Sequence, residues 1–91
     1  MAFPPNFIQP SMTYVDLSNT QLNGTIPLSI QNATNLEYLL LAENEIVGSL
    51  STLALPALKV LDLSYNVFEC ELTDAFTKSI PNVEKIVSIL P

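Results

Sequence analysis

The chain has 91 residues, 48% of them apolar and 13% charged, and nine acids against three lysines give a net charge of −6 with no histidine. It is too apolar for a disordered tail and too poor in cations to grip phosphates, so nucleic acid is not an expected partner. A single cysteine, Cys70, allows neither an internal disulfide nor a cysteine–histidine metal set, and no run approaches the ~20 apolar residues of a membrane-spanning helix.

Residues Met1–Ser11 hold Pro4, Pro5 and Pro10, lack a basic start and have no continuous apolar run, so they do not read as a signal peptide. Phe3-Pro4 and Phe7-Ile8 still supply apolar anchors. The segment is either irregular or the remnant of a preceding unit. From Met12 onwards the chain repeats itself. A first unit, 12–35, places Met12, Val15, Leu17 and Leu22 in apolar slots, then runs Asn23-Gly24-Thr25-Ile26-Pro27 before Ile30 and Ala33. A second, 36–57, has Leu36, Leu39, Leu41 and Ile46, with Asn44 between the last two, then Gly48, Leu50 and Leu53. A third, 58–82, repeats this with Leu58, Leu61, Leu63, Asn66 and Phe68, and puts Cys70 where the others have glycine, ahead of Leu72, Phe76 and Ile80. A partial fourth, 83–91, starts with Val83 and Ile86. It is either a further strand, with Lys85 and Val87 outward, or a distorted closing segment. Thr20 stands where the second and third units have asparagine.

Units of 22 to 25 residues predict a solenoid. Within each, alternating apolar residues have the period of a half-buried strand. One unit cannot bury its own leucines, but parallel stacking buries them as a continuous column, with neighbouring strands ~4.8 Å apart. Alternation then leaves Tyr14, Tyr38 and Val60 in one outward column and Asp16, Leu40 and Asp62 in the next. Ser18, Ala42 and Ser64 form a third. Just past the strands come Asn19, Glu43 and Tyr65.

The pattern Leu-x-x-Leu-x-Leu-x-x-Asn-x-Leu, best formed in Leu58–Phe68, resembles the leucine-rich repeat family. Leu22-Asn23-Gly24-Thr25-Ile26-Pro27 narrows the likeness to the plant-type extracellular subclass, found in receptor-like kinases, receptor-like proteins and inhibitor-type proteins. The second and third units depart from it with Gly48-Ser49-Leu50-Ser51 and Cys70-Glu71-Leu72-Thr73, and paired-cysteine caps and kinase signatures are absent from this stretch. The resemblance implies an α/β solenoid: a right-handed coil with a curved parallel sheet on its concave face and short helical or irregular turns on the convex side. It implies that Asn44 and Asn66 face inward as a structural ladder. It also implies that a protein or peptide ligand meets the concave face, through Tyr14, Asp16, Tyr38, Leu40, Glu43, Val60, Asp62 and Tyr65. Tyrosines are the expected anchors. The parent protein is expected outside the cell or at its surface. An intracellular scaffold, or a truncated product without independent activity, are the alternatives.

No enzyme is expected. Asp16 and Asp62 would lie two strands, or roughly 10 Å, apart, on an open face with Leu40 between them, and there is no histidine to act as a base. No cofactor or metal is expected either. Asn23-Gly24-Thr25 and Asn32-Ala33-Thr34 match the glycosylation acceptor sequence. Cys70 is expected to be a small buried filler, with a reactive thiol or half of a bridge as alternatives. The uncapped ends predict strand edges open to self-association.

Overall fold

The computed structural model describes residue 3 and residues 9–48, 54–68 and 80–87. Cys70, Leu50, Leu53, Leu72 and Phe76 lie outside the described residues, as do Phe7, Ile8 and Pro91. In chain order the elements are β1 (Tyr14–Asp16), β2 (Asn23–Gly24), a 3-10 helix (Leu28–Asn32), β3 (Tyr38–Leu40), β4 (Glu45–Gly48), β5 (Val60–Asp62), β6 (Val67–Phe68) and β7 (Lys85–Val87).

Four of these strands make one parallel sheet in the order β1-β3-β5-β7. The residues aligned across it are Tyr14, Tyr38, Val60 and Lys85, separated by 24, 22 and 25 positions. The strands form where the sequence alternates about a buried centre. Val15, Leu39 and Leu61 are buried, while their neighbours on either side stay exposed or half-buried. Leu36, Leu41, Leu58 and Leu63 extend the buried set before and after the strands, joined by Leu22, Ile30, Ala33, Ile46, Leu55 and Ile80. Met12, Leu17, Ile26, Val83 and Ile86 close over this core, and Phe3 packs against it too. Each coil therefore lends its apolar residues to a core that only the stack completes. The segment 85–87 is a strand of that stack, not a distorted closing segment.

Each strand of this sheet is entered through the same turn. The N–H of Met12 donates to the carbonyl of Gln9, and Leu36, Leu58 and Val83 donate in turn to Ala33, Leu55 and Ile80. The turn ahead of β1 thus has the form of those ahead of the later strands.

A second parallel sheet, β2-β4-β6, lies beyond the first in each coil. It is stepped. Glu45 and Ile46 of β4 pair with Asn23 and Gly24, whereas Val47 and Gly48 pair with Val67 and Phe68. The two halves of β4 thus serve different neighbours, which is why it has four residues and each flanking strand two. Gly48 sits at φ 98°, and a Cβ there would come within 2.8 Å of the Thr25 methyl, so the step brings backbone close to a side chain.

Candidate recognition face

The outward side of the β1-β3-β5-β7 sheet carries the residues singled out by alternation. Tyr14, Tyr38 and Val60 are aligned in one column that continues to Lys85, and Asp16, Leu40 and Asp62 in a second that continues to Val87. Tyr14 and Tyr38 are 58% and 38% exposed, and their rings sit 5.5 Å apart at a 37° tilt. That spacing is within the range of a favourable aromatic pair. Leu40, Val60 and Asp62 are half-buried, so the middle of the face is shallow and partly apolar.

The two aspartates are committed locally. The Ser18 N–H donates to Asp16 Oδ1 at 3.0 Å, and in the third coil both the Ser64 N–H and hydroxyl donate to Asp62 Oδ1, at 3.1 and 2.7 Å. The Ser18 backbone hydrogen bond, then its side-chain hydrogen bond, holds the Asp16 carboxyl below its ordinary value of 3.8. A carboxyl held ionised in this way is unsuited to act as a general acid near neutral pH. The arrangement departs from the sequence expectation at one column. Ser64 is buried and Ser18 half-buried, because these serines turn back to their aspartates instead of facing outward. The signal was Asp-Leu-Ser, present twice, which favours a local Asx-type turn.

Past the strands the chain bends sharply. Asn19, Glu43 and Tyr65 all have left-handed backbone, at φ 54°, 59° and 57°. Their N–H groups still belong to the sheet in the first two coils: Asn19 donates to Ala42 and Glu43 to Ser64, both at 2.9 Å. Asparagine tolerates this conformation, but glutamate and tyrosine carry a steric cost of roughly 1–2 kcal/mol each. The bend holds Tyr65 61% exposed at the rim of the face.

Behind the bend, the buried amides of Asn44 and Asn66 join successive coils. Asn44 Oδ1 accepts from the N–H groups of Thr20 (3.1 Å) and Leu22 (3.0 Å), and its Nδ2 donates to the Leu17 carbonyl at 2.9 Å and the Leu41 carbonyl at 3.1 Å. Asn66 acts one coil later: the Ile46 N–H donates to its Oδ1 at 3.0 Å, and its Nδ2 donates to the Leu41 carbonyl at 2.7 Å. The Thr20 side chain bonds within its own coil, its hydroxyl donating to the Leu17 carbonyl at 2.6 Å, apart from a long 3.4 Å contact to Asn44 Oδ1. Among the described residues no buried side-chain nitrogen or oxygen lacks a partner.

Two further cross-coil features escaped the sequence reading. At the entry turns, Asn35 Nδ2 donates to the Pro10 carbonyl at 3.1 Å and Asn82 Nδ2 to the Pro56 carbonyl at 2.7 Å. This second set of asparagines stands directly before Leu36 and Val83, a spacing visible in the sequence. The residues just ahead of the strands also form a charge row. Lys59 Nζ lies 3.1 Å from Glu37 Oε1, and the hydrogen bond and charge of Glu37, then Glu84 on the other side, raise the lysine above its ordinary 10.5.

Among the described residues no group of three or more acids, histidines or cysteines is placed to hold a metal ion, and no helix is long and apolar enough to cross a membrane. The family model described as Leucine Rich Repeat matches residues 11–33 and 57–79, together just over half of the chain. The chain is 47% identical over 57 residues to the receptor-like protein CLAVATA2 of Arabidopsis thaliana, a match covering 62% of this chain and 8% of that protein. It is 36% identical over 90 residues to receptor-like protein 9b of the same plant, covering 90% of this chain and 9% of that protein. A probable LRR receptor-like serine/threonine-protein kinase from the same species is 36% identical over 67 residues, 70% of this chain and 6% of that protein. The chain thus spans less than a tenth of the length of each of these relatives.

Proposed function

Because the chain belongs to the leucine-rich repeat family, we propose that it is a recognition module of a plant receptor-like protein, and that it binds an extended peptide or protein segment across the outward face of its four-stranded sheet. The observation that carries this reading is the alignment of exposed tyrosines on one rigid face. Tyr14 and Tyr38 stand side by side, with Leu40 and Val60 beside them and Tyr65 and Glu43 at the rim. Tyrosines supply large contact area at small entropic cost and dominate many binding interfaces. Acidic groups at Asp16, Asp62 and Glu43, on a chain of net charge −6, favour a segment that brings a lysine or arginine to the apolar centre. The module is non-catalytic, and its parent protein acts at the cell surface or outside the cell.

The test is selection of a peptide-display library on the immobilised chain, followed by titration of the selected peptides. Tyr14→Ala, Tyr38→Ala and Tyr65→Ala are each expected to weaken binding about tenfold or more, the range of interface anchors. Val67→Ala, on the second sheet, is expected to leave it unchanged. Binders indifferent to all three tyrosines would overturn the reading.

A further inference from the structure

Four of the seven described asparagines spend their side-chain amides on the fold. Those of Asn35, Asn44, Asn66 and Asn82 donate to backbone carbonyls of a neighbouring coil, and none of these four begins an Asn-x-Ser/Thr sequence. Asn23 and Asn32 are the two that begin one, with Thr25 and Thr34 in the hydroxyl position. Both asparagines and both threonines are exposed. Asn32 ends the 3-10 helix, and Ala33 after it is fully buried at φ −84°, ψ 64°, the geometry of an inverse γ-turn. The Thr34 N–H donates to the Asn32 carbonyl at 3.0 Å across that turn. The buried alanine anchors the sequence while its acceptor amide and hydroxyl face solvent. Asn23 lies on β2, in the second sheet. Neither position belongs to the β1-β3-β5-β7 sheet.

From this we propose that Asn32 and Asn23 are N-glycosylation sites, each taking an oligosaccharide from a lipid-pyrophosphate-linked donor. In the transfer, a bond forms between Asn Nδ2 and the sugar's anomeric carbon, and the anomeric carbon–oxygen bond to the pyrophosphate breaks. The amide gives up one proton and the lipid pyrophosphate departs. The sugars stand off the second sheet and the convex turn, and the four-stranded sheet stays open. At Asn23 the glycan also lies on the sheet that exposes Val47 and Val67, and covers apolar surface there. The proposal is independent of what the tyrosine face binds, since its readout is mass and not affinity.

The full chain, given a secretory leader and expressed in plant cells, is weighed intact before and after treatment with an amidase that removes N-glycans and leaves aspartate. Two glycans are expected on the parent chain, one on Asn32→Gln, one on Asn23→Gln and none on the double variant. Thr34→Ala and Thr25→Ala, which keep the asparagines, are expected to lose the same glycan as their partner variants. Secreted protein of unmodified mass overturns the proposal. A mass that does not change on substituting one of the asparagines overturns it at that position.

Discussion

Replacing Asn44 by alanine strips its oxygen from the N–H groups of Thr20 and Leu22 in the preceding coil, and leaves the Leu17 carbonyl with the Thr20 hydroxyl alone. An unpaired buried backbone group costs about 1–3 kcal/mol, so Asn44→Ala is expected to destabilise the chain by about 3 kcal/mol. Urea unfolding measures this as a lowered midpoint. A single domain of this size has little stability to spare. Tyr65 is expected to behave in the opposite way. Its left-handed backbone is strained for tyrosine and comfortable for asparagine. Tyr65→Asn is therefore expected to raise stability by roughly 1 kcal/mol while weakening peptide binding; a loss of stability would show that Tyr65 is held by packing. The titrating groups set a pH window. Asp16 is depressed by its Ser18 hydrogen bonds, so its contribution is complete above its unfolded value near 3.8 and is lost as pH falls through the lower folded value. Lys59 is raised by Glu37, so its contribution is complete below 10.5 and is lost as pH rises through the folded value. Melting temperature is accordingly expected to be insensitive to these two groups between those limits. Asp16→Asn keeps an oxygen to accept from Ser18 but cannot titrate, and its acid-side fall is expected to be shallower than that of the parent chain.

At the scale of elements, the main sheet was legible because its signal is redundant. Val15, Leu39 and Leu61 each sit between outward residues, and the intervals between equivalent positions are those of the observed register. The sheet β2-β4-β6 was not legible. Its strands pair only two residues at a time, and Asn23-Gly24 carries the composition of a turn. The step in β4 has no counterpart in composition at all. For the candidate recognition face, the columns of Tyr14 and Asp16 followed from alternation, but the turning of Asp16 and Asp62 onto Ser18 and Ser64 depends on backbone geometry beyond the strand ends. The charge row through Glu37, Lys59 and Glu84 was hidden for a related reason. These residues flank the strands, where neither face is assigned by period.

For the whole molecule, the described sheets are open: β1 and β7 are the outer strands of one, and β2 and β6 of the other. Outer strands present unpaired N–H and carbonyl groups that can pair with another chain. The isolated 91-residue chain is therefore expected to self-associate, seen as an average mass by light scattering that rises with concentration. A constant monomer mass across a dilution series, with a sharp cooperative melt, would show that the edges are closed. The curated relatives are more than ten times longer than the stretch they share with this chain. In such a parent, further coils would cover the same edges.

Besides bracing their own bends, the side-chain amides of the inner asparagines reach one way along the chain, to the preceding coil. Asn44 satisfies the turn of the coil before it, and Asn66 satisfies the one before that strand's own. A coil emerging from the ribosome therefore cannot finish its own bend; it waits for an asparagine 20 to 24 residues downstream, as Ile46 waits for Asn66 and Thr20 for Asn44. At about 5–20 residues per second of synthesis, each bend stays provisional for roughly one to five seconds. Folding of this array is then expected to follow the order in which the coils are made.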